Sequence, residues 1–284
     1  MAEVGATAAR ARVEARLDDL VRGNRFVIAV VFPVVGAVLL VASAESLLGP
    51  LNYNPYLILA GVVVMRLPLI AGVAPLLDRR ATAALLALTL YAYGVEYLGV
   101  TTGWPYGQFE YAVDLGPMLF GAIPVGLPVF FFPLVLNSYL LCLLLLGGRA
   151  DRARVRLPAV VLAVLGMDLV LDPAAVSVGF WTYANGGAYY GVPVSNYLGW
   201  VLSAAVAVLA LDLGFERAGL LSRLRECEFM LDDLVSFVLL WGPINAYFGN
   251  WVPVGVAALF GLGLLYTDRF DFDVRGSVPG VGAR

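Results

Sequence analysis

Three acidic residues lie in apolar parts of the sequence, where charged side chains are rare. Asp168 and Asp172 are four residues apart within one long apolar run, and Glu96 lies near the end of another. A spacing of four places two side chains on the same face of a helix. A carboxyl group that is buried and keeps its proton can act as an acid. These three residues are therefore the candidate acid–base groups of the chain.

Arg66 lies in the middle of another apolar run, where a charge needs a partner or a function. It cannot neutralise both Asp168 and Asp172 unless one of these acids keeps a proton. Glu45 and Asp212 lie nearer to the ends of their apolar runs, where we expect them to reach water or an interfacial partner. The sequence thus predicts that Arg66 pairs with one carboxylate and that a protonated acid remains beside it.

The composition is that of a membrane protein. Of 284 residues, 61% are hydrophobic and 14% are charged, with a mean hydropathy of +0.86, whereas soluble domains carry about 25% charged residues. All 18 basic residues are arginine, and the chain has no histidine. This excludes a retinal Schiff base, a Walker-type lysine site, a His-ligated haem and His-based zinc or iron sites. The two cysteines are too few for a disulfide framework.

Long apolar runs separated by polar residues predict an all-α integral membrane protein with eight transmembrane helices. The predicted helices cover residues 26–48, 56–77, 81–100, 118–146, 158–180, 197–215, 234–248 and 252–267. The last two are short and could instead form one re-entrant hairpin. Residues 1–25 are then an N-terminal arm, residues 26–267 a transmembrane domain and residues 268–284 a tail.

Arginines occupy alternate loops. Seventeen of the 18 lie in the arm, in every second loop or in the tail: Arg10, Arg12, Arg16, Arg22, Arg25, Arg79, Arg80, Arg149, Arg152, Arg154, Arg156, Arg217, Arg223, Arg225, Arg269, Arg275 and Arg284. Because arginines in short loops stay cytoplasmic, we predict a multi-pass cell-membrane protein with both termini inside. Glu45, Glu96 and Asp172 then belong to the outer half, with Arg66 and Asp168 near mid-depth. These five side chains could converge.

Two predicted outer loops are rich in aromatic residues and glycine. The loop between the third and fourth helices contains Trp104, Tyr106 and Tyr111, and the loop between the fifth and sixth contains Trp181 and Tyr183. Some of these rings fit an interfacial aromatic belt. The glycines of the same loops allow tight turns, so we expect the loops to fold back over the helix bundle as a cap.

Residues 91–200 carry several short motifs in a fixed order. These are Glu96, Gly103, Pro105, Tyr106, Gly107 and Tyr111; residues 115–117 and Pro124; residues 168–173; and Trp181, residues 190–193, Asn196, Gly199 and Trp200. Taken together, they resemble the carotenoid hydratase family, membrane enzymes that add water to terminal double bonds of acyclic carotenoids. The acidic, all-arginine composition is similar to that of the haloarchaeal branch of the family, which implies a fifty-carbon carotenoid as substrate.

The resemblance implies a hydration that starts with proton transfer to an isolated alkene. This chemistry needs a carboxylic acid, π faces that stabilise a tertiary cation and one positioned water, and it requires no metal, nucleotide or redox cofactor. The resemblance does not assign the donor; we predict Asp172 and Asp168 as the donor pair and Glu96 as the group that orients water. The predicted substrate-binding residues are Trp104, Tyr106, Tyr111, Trp181, Tyr183, Asn196 and Arg66. The expected partners are the carotenoid, the lipid bilayer and other carotenoid biosynthesis enzymes, with no nucleic acid.

Two other classes of protein fit parts of the same pattern. An intramembrane prenyltransferase would use an Asp-x-x-x-Asp motif to hold magnesium diphosphate, and Asp168 and Asp172 have that spacing. Basic partners for phosphate and a second Asp-rich motif are lacking there. A proton-coupled transporter would use the same buried acids. Magnesium dependence distinguishes the first alternative, and substrate movement without chemical change distinguishes the second.

Overall fold

The computed structural model describes residues 2–271, with side chains from residue 8 onward, and this part of the chain is an all-α bundle. Its helices are α1 (Ala2–Phe26), α2 (Phe32–Ala44), α3 (Pro55–Val73), α4 (Arg79–Thr102), α5 (Leu127–Leu146), α6 (Ala153–Ser177), α7 (Val194–Gly214), α8 (Arg217–Glu226), α9 (Asp232–Tyr247) and α10 (Trp251–Tyr266). A π-helical turn, Val27–Val31, joins α1 to α2. All eight predicted apolar segments contain a helix. Arg275 and Arg284, from the predicted tail, lie outside the described residues.

Six helical stretches among the described residues are long and apolar enough to cross a membrane. They are Ala8–Ala44, Pro55–Leu76, Arg79–Thr102, Leu127–Asp151, Ala153–Ser177 and Val194–Gly214. The helices α9 and α10 have 16 residues each, which corresponds to about 24 Å at 1.5 Å per residue and falls short of a hydrocarbon core of about 30 Å. Among the described residues the structure thus has six long candidate spans followed by three shorter helices, α8, α9 and α10.

Two predicted helices have different boundaries in the structure. The segment 118–146 is helical only from Leu127, because the preceding residues pair as the short antiparallel strands β2 (Met118–Leu119) and β3 (Ile123–Pro124). Gly121 adopts a positive φ of 68° in the turn between these strands, a conformation that ends helical geometry. The first predicted helix, 26–48, already ends at Ala44, and Ser46 follows with a positive φ of 59°.

Local sequence signals explain where several helices begin. The Asn54 side chain accepts hydrogen bonds from the first backbone N–H groups of α3, and Asp78 accepts one from Ala81 N at 2.7 Å at the start of α4. Such N-terminal caps satisfy donors that have no partner within the helix. The helix α6 lies at the centre of the bundle and packs against α5, α7, α9 and α10. The three acids singled out in the sequence are therefore carried by α4 and by the central helix.

A small β-ribbon joins the two aromatic loops that follow α4 and α6. Strand β1 (Phe109–Tyr111) pairs antiparallel with β4 (Trp181–Tyr183), with Phe109 opposite Tyr183 and Tyr111 opposite Trp181. Residues directly opposite each other in a ribbon share a face, and the face alternates along each strand. Phe109, Tyr111, Trp181 and Tyr183 therefore project from one face, while Glu110 and Thr182 project from the other and are exposed. The predicted cap contains this ribbon.

Candidate active site

The aromatic face of the ribbon covers a cavity inside the bundle. The cavity and its opening together contain about 1000 Å³ of space not occupied by protein atoms. Residues from α3, α4, α5, α6, α7, α9 and the two aromatic loops line it: Ile58, Ala92, Val95, Glu96, Tyr106, Phe109, Tyr111, Leu115, Pro124, Leu127, Phe130, Phe131, Leu134, Leu171, Asp172, Phe180, Trp181, Tyr183, Asn196, Trp200 and Trp241. Two carboxylates thus face a wall that is otherwise mostly apolar and aromatic.

Asp168 and Asp172 form a pair held by one amide. The Asn196 Nδ2 donates to Asp168 Oδ2 at 3.1 Å and to Asp172 Oδ2 at 2.6 Å, so these two oxygens lie at most 5.7 Å apart. All three side chains are buried, but only Asp172 and Asn196 reach the cavity wall. The second oxygen of Asp168, Oδ1, receives no hydrogen bond from any described residue. The predicted donor pair is therefore arranged as one group facing the cavity and one behind it.

Each acid on the cavity wall receives a hydrogen bond from a tyrosine of the ribbon. Tyr183 donates to Asp172 Oδ2 at 3.1 Å, and Tyr111 donates to Glu96 Oε1. Burial raises the pKa of Tyr183 far above its usual range, and the Asp172 carboxylate raises it further. Burial likewise raises the pKa of Tyr111 well above its usual range, with added contributions from Glu96 and Asp172. Both phenols therefore keep their protons and act as donors toward the acids.

Side chains from other segments form hydrogen bonds with backbone carbonyls near Pro173, the proline that follows Asp172. Pro173 has no N–H, so the carbonyl of Leu169 lacks its usual partner within the helix. The Tyr189 hydroxyl approaches this carbonyl at 3.4 Å, and Asn245 Nδ2 donates to the next carbonyl, that of Val170, at 2.8 Å. Burial raises the pKa of Tyr189 to about 12, so its hydroxyl is also a proton donor. The turn of α6 that carries the acids is thus fixed from two sides.

Aromatic rings form the remainder of the wall. Trp200 stacks on Phe131 with ring centroids 5.9 Å apart, and Tyr106 lies 6.2 Å from Trp200. The Tyr106 hydroxyl is 2.6 Å from Ser203 Oγ. A Cβ atom at Gly199 would come within 2.5 Å of the Tyr106 ring, so this close packing requires glycine. The π faces that a tertiary cation needs are present beside the two acids.

The structure brings together most of the predicted site residues, but not all of them. Glu96, Tyr106, Tyr111, Asp172, Trp181, Tyr183 and Asn196 line the cavity, with Asp168 directly behind it. Trp104 is 57% exposed and does not line the cavity. The sequence missed several lining rings. Phe130, Phe131 and Trp241 lie in helices, where aromatic residues resemble ordinary core residues, and Phe109 and Phe180 lie in the two aromatic loops but were not among the predicted site residues.

Arg66 lies away from the cavity and does not pair with Asp168 or Asp172. Its Nη1 donates to Asp233, and its Nε donates to the carbonyl of Val129 at 3.2 Å. Asn137 completes this cluster by donating to Asp233 Oδ2 at 2.5 Å. The expectation that Arg66 pairs with one of the cavity acids is therefore wrong. The predicted helix 234–248 starts just after Asp233, although acidic residues in the first turn of a helix are favourable and indicate a start at Asp232.

Asp212 and Glu45, the acids nearer to the ends of their apolar runs, also lie apart from the acids of the cavity. Asp212 pairs with Arg156 at 2.7 Å, and Tyr139 donates to it at 2.5 Å. Glu45 lies at the end of α2, close enough to Tyr53 to act on it electrostatically. Of the five side chains expected to converge, Glu96, Asp168 and Asp172 do so. Within residues 8–271, no arginine forms a salt bridge with these three acids.

Comparisons with known proteins support one family. A family profile described as "Carotenoid biosynthesis protein" matches residues 53–264, which include every residue of the cavity wall. The "Bisanhydrobacterioruberin hydratase" of Haloarcula japonica is 66% identical over 261 residues, which cover 92% of this chain and 89% of that protein. No solved structure matches the chain. By both the profile and this relative, the chain belongs to the carotenoid biosynthesis protein family.

Proposed function

We propose that the protein is a carotenoid hydratase that converts bisanhydrobacterioruberin to bacterioruberin by adding water to the terminal double bonds. The 66% identity to the Haloarcula japonica hydratase carries this proposal. The cavity supports it because an apolar, aromatic wall suits a carotenoid end and two carboxylates suit acid–base chemistry. The polyene would enter the protein from the bilayer.

Asp172 is the proton donor of the proposed reaction. It reaches the cavity wall, and no arginine among the described residues neutralises it or Asp168. Two carboxylates held by one amide in an apolar site repel each other when both are charged, so the pair retains a proton. Asp168, behind the wall, shares this proton, while Asn196 and Tyr183 orient Asp172 toward the substrate.

Glu96 is the group that receives a proton from water. Transfer of the Asp172 proton to the alkene forms a C–H bond and leaves a tertiary cation, which faces such as Trp181 and Trp200 stabilise. Water adds to the cation and gives its excess proton to Glu96, whose carboxylate accepts a hydrogen bond from Tyr111. The product is a tertiary alcohol. The reaction consumes one water per end and needs no electron transfer.

A deuterium experiment tests the reaction directly. Purified protein in detergent, with a chelator and in deuterated water, should hydrate the carotenoid and place one deuterium on the carbon next to the new alcohol. Mass analysis of the extracted pigment measures this. Loss of activity with chelator and recovery with magnesium would favour the prenyltransferase alternative, and transfer of unchanged pigment would favour the transporter.

The proposed orientation places both termini and the loops at Arg79, Arg152 and Arg223 in the cytoplasm. Residues 1–25 and 268–284 are then a cytoplasmic arm and tail, and Gln108 is outside. Cysteine labelling can test this, since both native cysteines are buried and Gln108 and Arg152 are exposed. Gln108→Cys should react with an impermeant reagent added outside, and Arg152→Cys should react only after permeabilisation. Outside labelling at position 152 contradicts the orientation.

A further inference from the structure

The proposed reaction leaves two acids in the wrong protonation states after each turnover. Asp172 has given its proton to carbon, and Glu96 has taken one from the added water. A second turnover therefore requires a proton to move from Glu96 to Asp172. Both acids lie in the mostly apolar cavity wall, where a proton moves through groups that can donate and accept it.

Tyr111 donates to one of these acids and lies within electrostatic reach of the other. It lies on the cavity face of the ribbon, and its hydroxyl donates to Glu96 Oε1. The carboxylate of Asp172 is also close enough to act electrostatically on the same phenol. Tyr183 differs, because its hydroxyl donates to Asp172 itself, at 3.1 Å, and it lies opposite Phe109 in the ribbon. Tyr111 is thus the ribbon phenol that hydrogen-bonds Glu96, lines the same cavity as Asp172 and is influenced by the Asp172 charge.

The burial of Tyr111 determines how it can transfer a proton. Its pKa is well above the usual range because burial disfavours the charged phenolate and the neighbouring carboxylates disfavour it further. The hydroxyl therefore cannot lose its proton first and regain one later. It gives its proton to one neighbour while it accepts a proton from the other.

We propose that Tyr111 is a catalytic relay that returns the proton from Glu96 to Asp172 after each hydration. The Tyr111 O–H bond breaks as its proton passes to the Asp172 carboxylate, directly or through one water, and a new O–H bond forms with the proton of Glu96. Glu96 ends as a carboxylate, Asp172 as a carboxylic acid and Tyr111 unchanged. This proposal rests on the proposed acid and base roles.

Rapid-quench kinetics with excess carotenoid test the relay. Tyr111→Phe keeps the ring and removes the hydroxyl, so the first turnover uses the proton already on Asp172, while later turnovers wait for reprotonation from water. We expect a burst of about one hydration per enzyme, followed by a steady rate at least about 10-fold below that of the wild type. A small carboxylic acid, formic acid, should accelerate the later turnovers.

Matched variants separate the relay from other roles of Tyr111. Tyr183→Phe, on the same ribbon face, should slow the first and later turnovers equally, since it alters the donor itself. An unchanged steady rate in Tyr111→Phe, or an equally slow first turnover, overturns the relay. If Tyr111→Phe fails to fold, 3-fluorotyrosine can replace Tyr111 instead. This replacement should change the rate of the later turnovers and not the rate of the first. The proposed donor role fails separately, if Asp172→Asn retains normal hydration, and the proposed function fails if the wild type forms no hydrated carotenoid.

Discussion

The buried charges of the bundle form two kinds of cluster. Arg66 and Asp233 make an ion pair between α3 and α9, and Asn137 from α5 donates to the same carboxylate. Around the cavity, Asp168 and Asp172 share the amide of Asn196 and have no arginine partner among the described residues. The first cluster is closed by opposite charge, whereas the second is held by neutral donors.

The difference indicates which charges support the fold and which support chemistry. In a buried ion pair each charge compensates the other, so removing one partner leaves an uncompensated charge. An acid that neutral groups hold beside an apolar cavity keeps a proton that it can transfer. Depth in an apolar helix therefore does not by itself mark a catalytic residue, because Arg66 is as deeply buried as the acids. The partner of a buried charge indicates whether that charge supports the fold or the chemistry.

The largest expected effect comes from breaking the closed cluster. Arg66→Ala leaves Asp233 buried without its cation and should lower stability by about 3 to 5 kcal/mol. Thermal unfolding in detergent and the yield of folded protein measure this. The double variant Arg66→Met with Asp233→Leu removes both charges and should recover most of the stability and retain hydration. Wild-type stability in Arg66→Ala would show that the ion pair does not support the fold.

The second prediction breaks the open cluster. Asp172→Asn keeps the size and hydrogen bonding of the side chain but removes the acid, so hydration should fall at least about 100-fold while the protein stays folded. Product formation per folded protein is the measurement. Near-normal activity in this variant together with complete loss in Glu96→Gln or Asp168→Asn would show that the donor is misassigned. If all three variants remain active, the carboxylate mechanism is wrong.

The helix positions and the relation between the two aspartates could be predicted from the local sequence. Apolar runs located the helices, because a helix satisfies its backbone internally and its side chains alone determine how it meets lipid. The spacing of Asp168 and Asp172 placed both on one helix face, and the structure joins them through Asn196. Helix ends were less accurate near Ala44 and Leu127, where glycine and positive φ angles replaced expected helical turns.

Contacts between distant segments could not be predicted in the same way. Arg66 and Asp233 are 167 residues apart in the chain, so no local spacing connects them. The ribbon pairs Tyr111 with Trp181 across two loops, and its register decides which side chains face the cavity. The register depends on packing rather than on composition. A shift of one residue would turn every side chain of the strand to the other face. The sequence predicted an aromatic cap, but it did not predict which side chains of the cap face the cavity.

The third prediction separates two tryptophans that the sequence treated alike. Trp181 lines the cavity, whereas Trp104 is exposed. Since a cation–π contact is worth about 0.5 to 2 kcal/mol, Trp181→Leu should lower kcat by about 2- to 30-fold. Trp104→Leu should leave kcat nearly unchanged. Steady-state hydration by both variants is the measurement, and equal losses would contradict the position of the cavity.

The smallest expected effect concerns Glu110, the nearest acid to Tyr111 in the sequence. By composition alone it is as good a candidate acid as Glu96. In the ribbon, however, it is opposite Thr182 and projects from the exposed face, away from the aromatic face that covers the cavity. Exposed substitutions usually change free energies by less than about 0.5 kcal/mol, so Glu110→Gln should keep hydration within about twofold of the wild type. Paired assays of Glu110→Gln and Glu96→Gln under the same conditions measure the contrast. A large loss in Glu110→Gln would mean that the ribbon presents its other face to the cavity, which would also move Tyr111 and Tyr183 away from the acids.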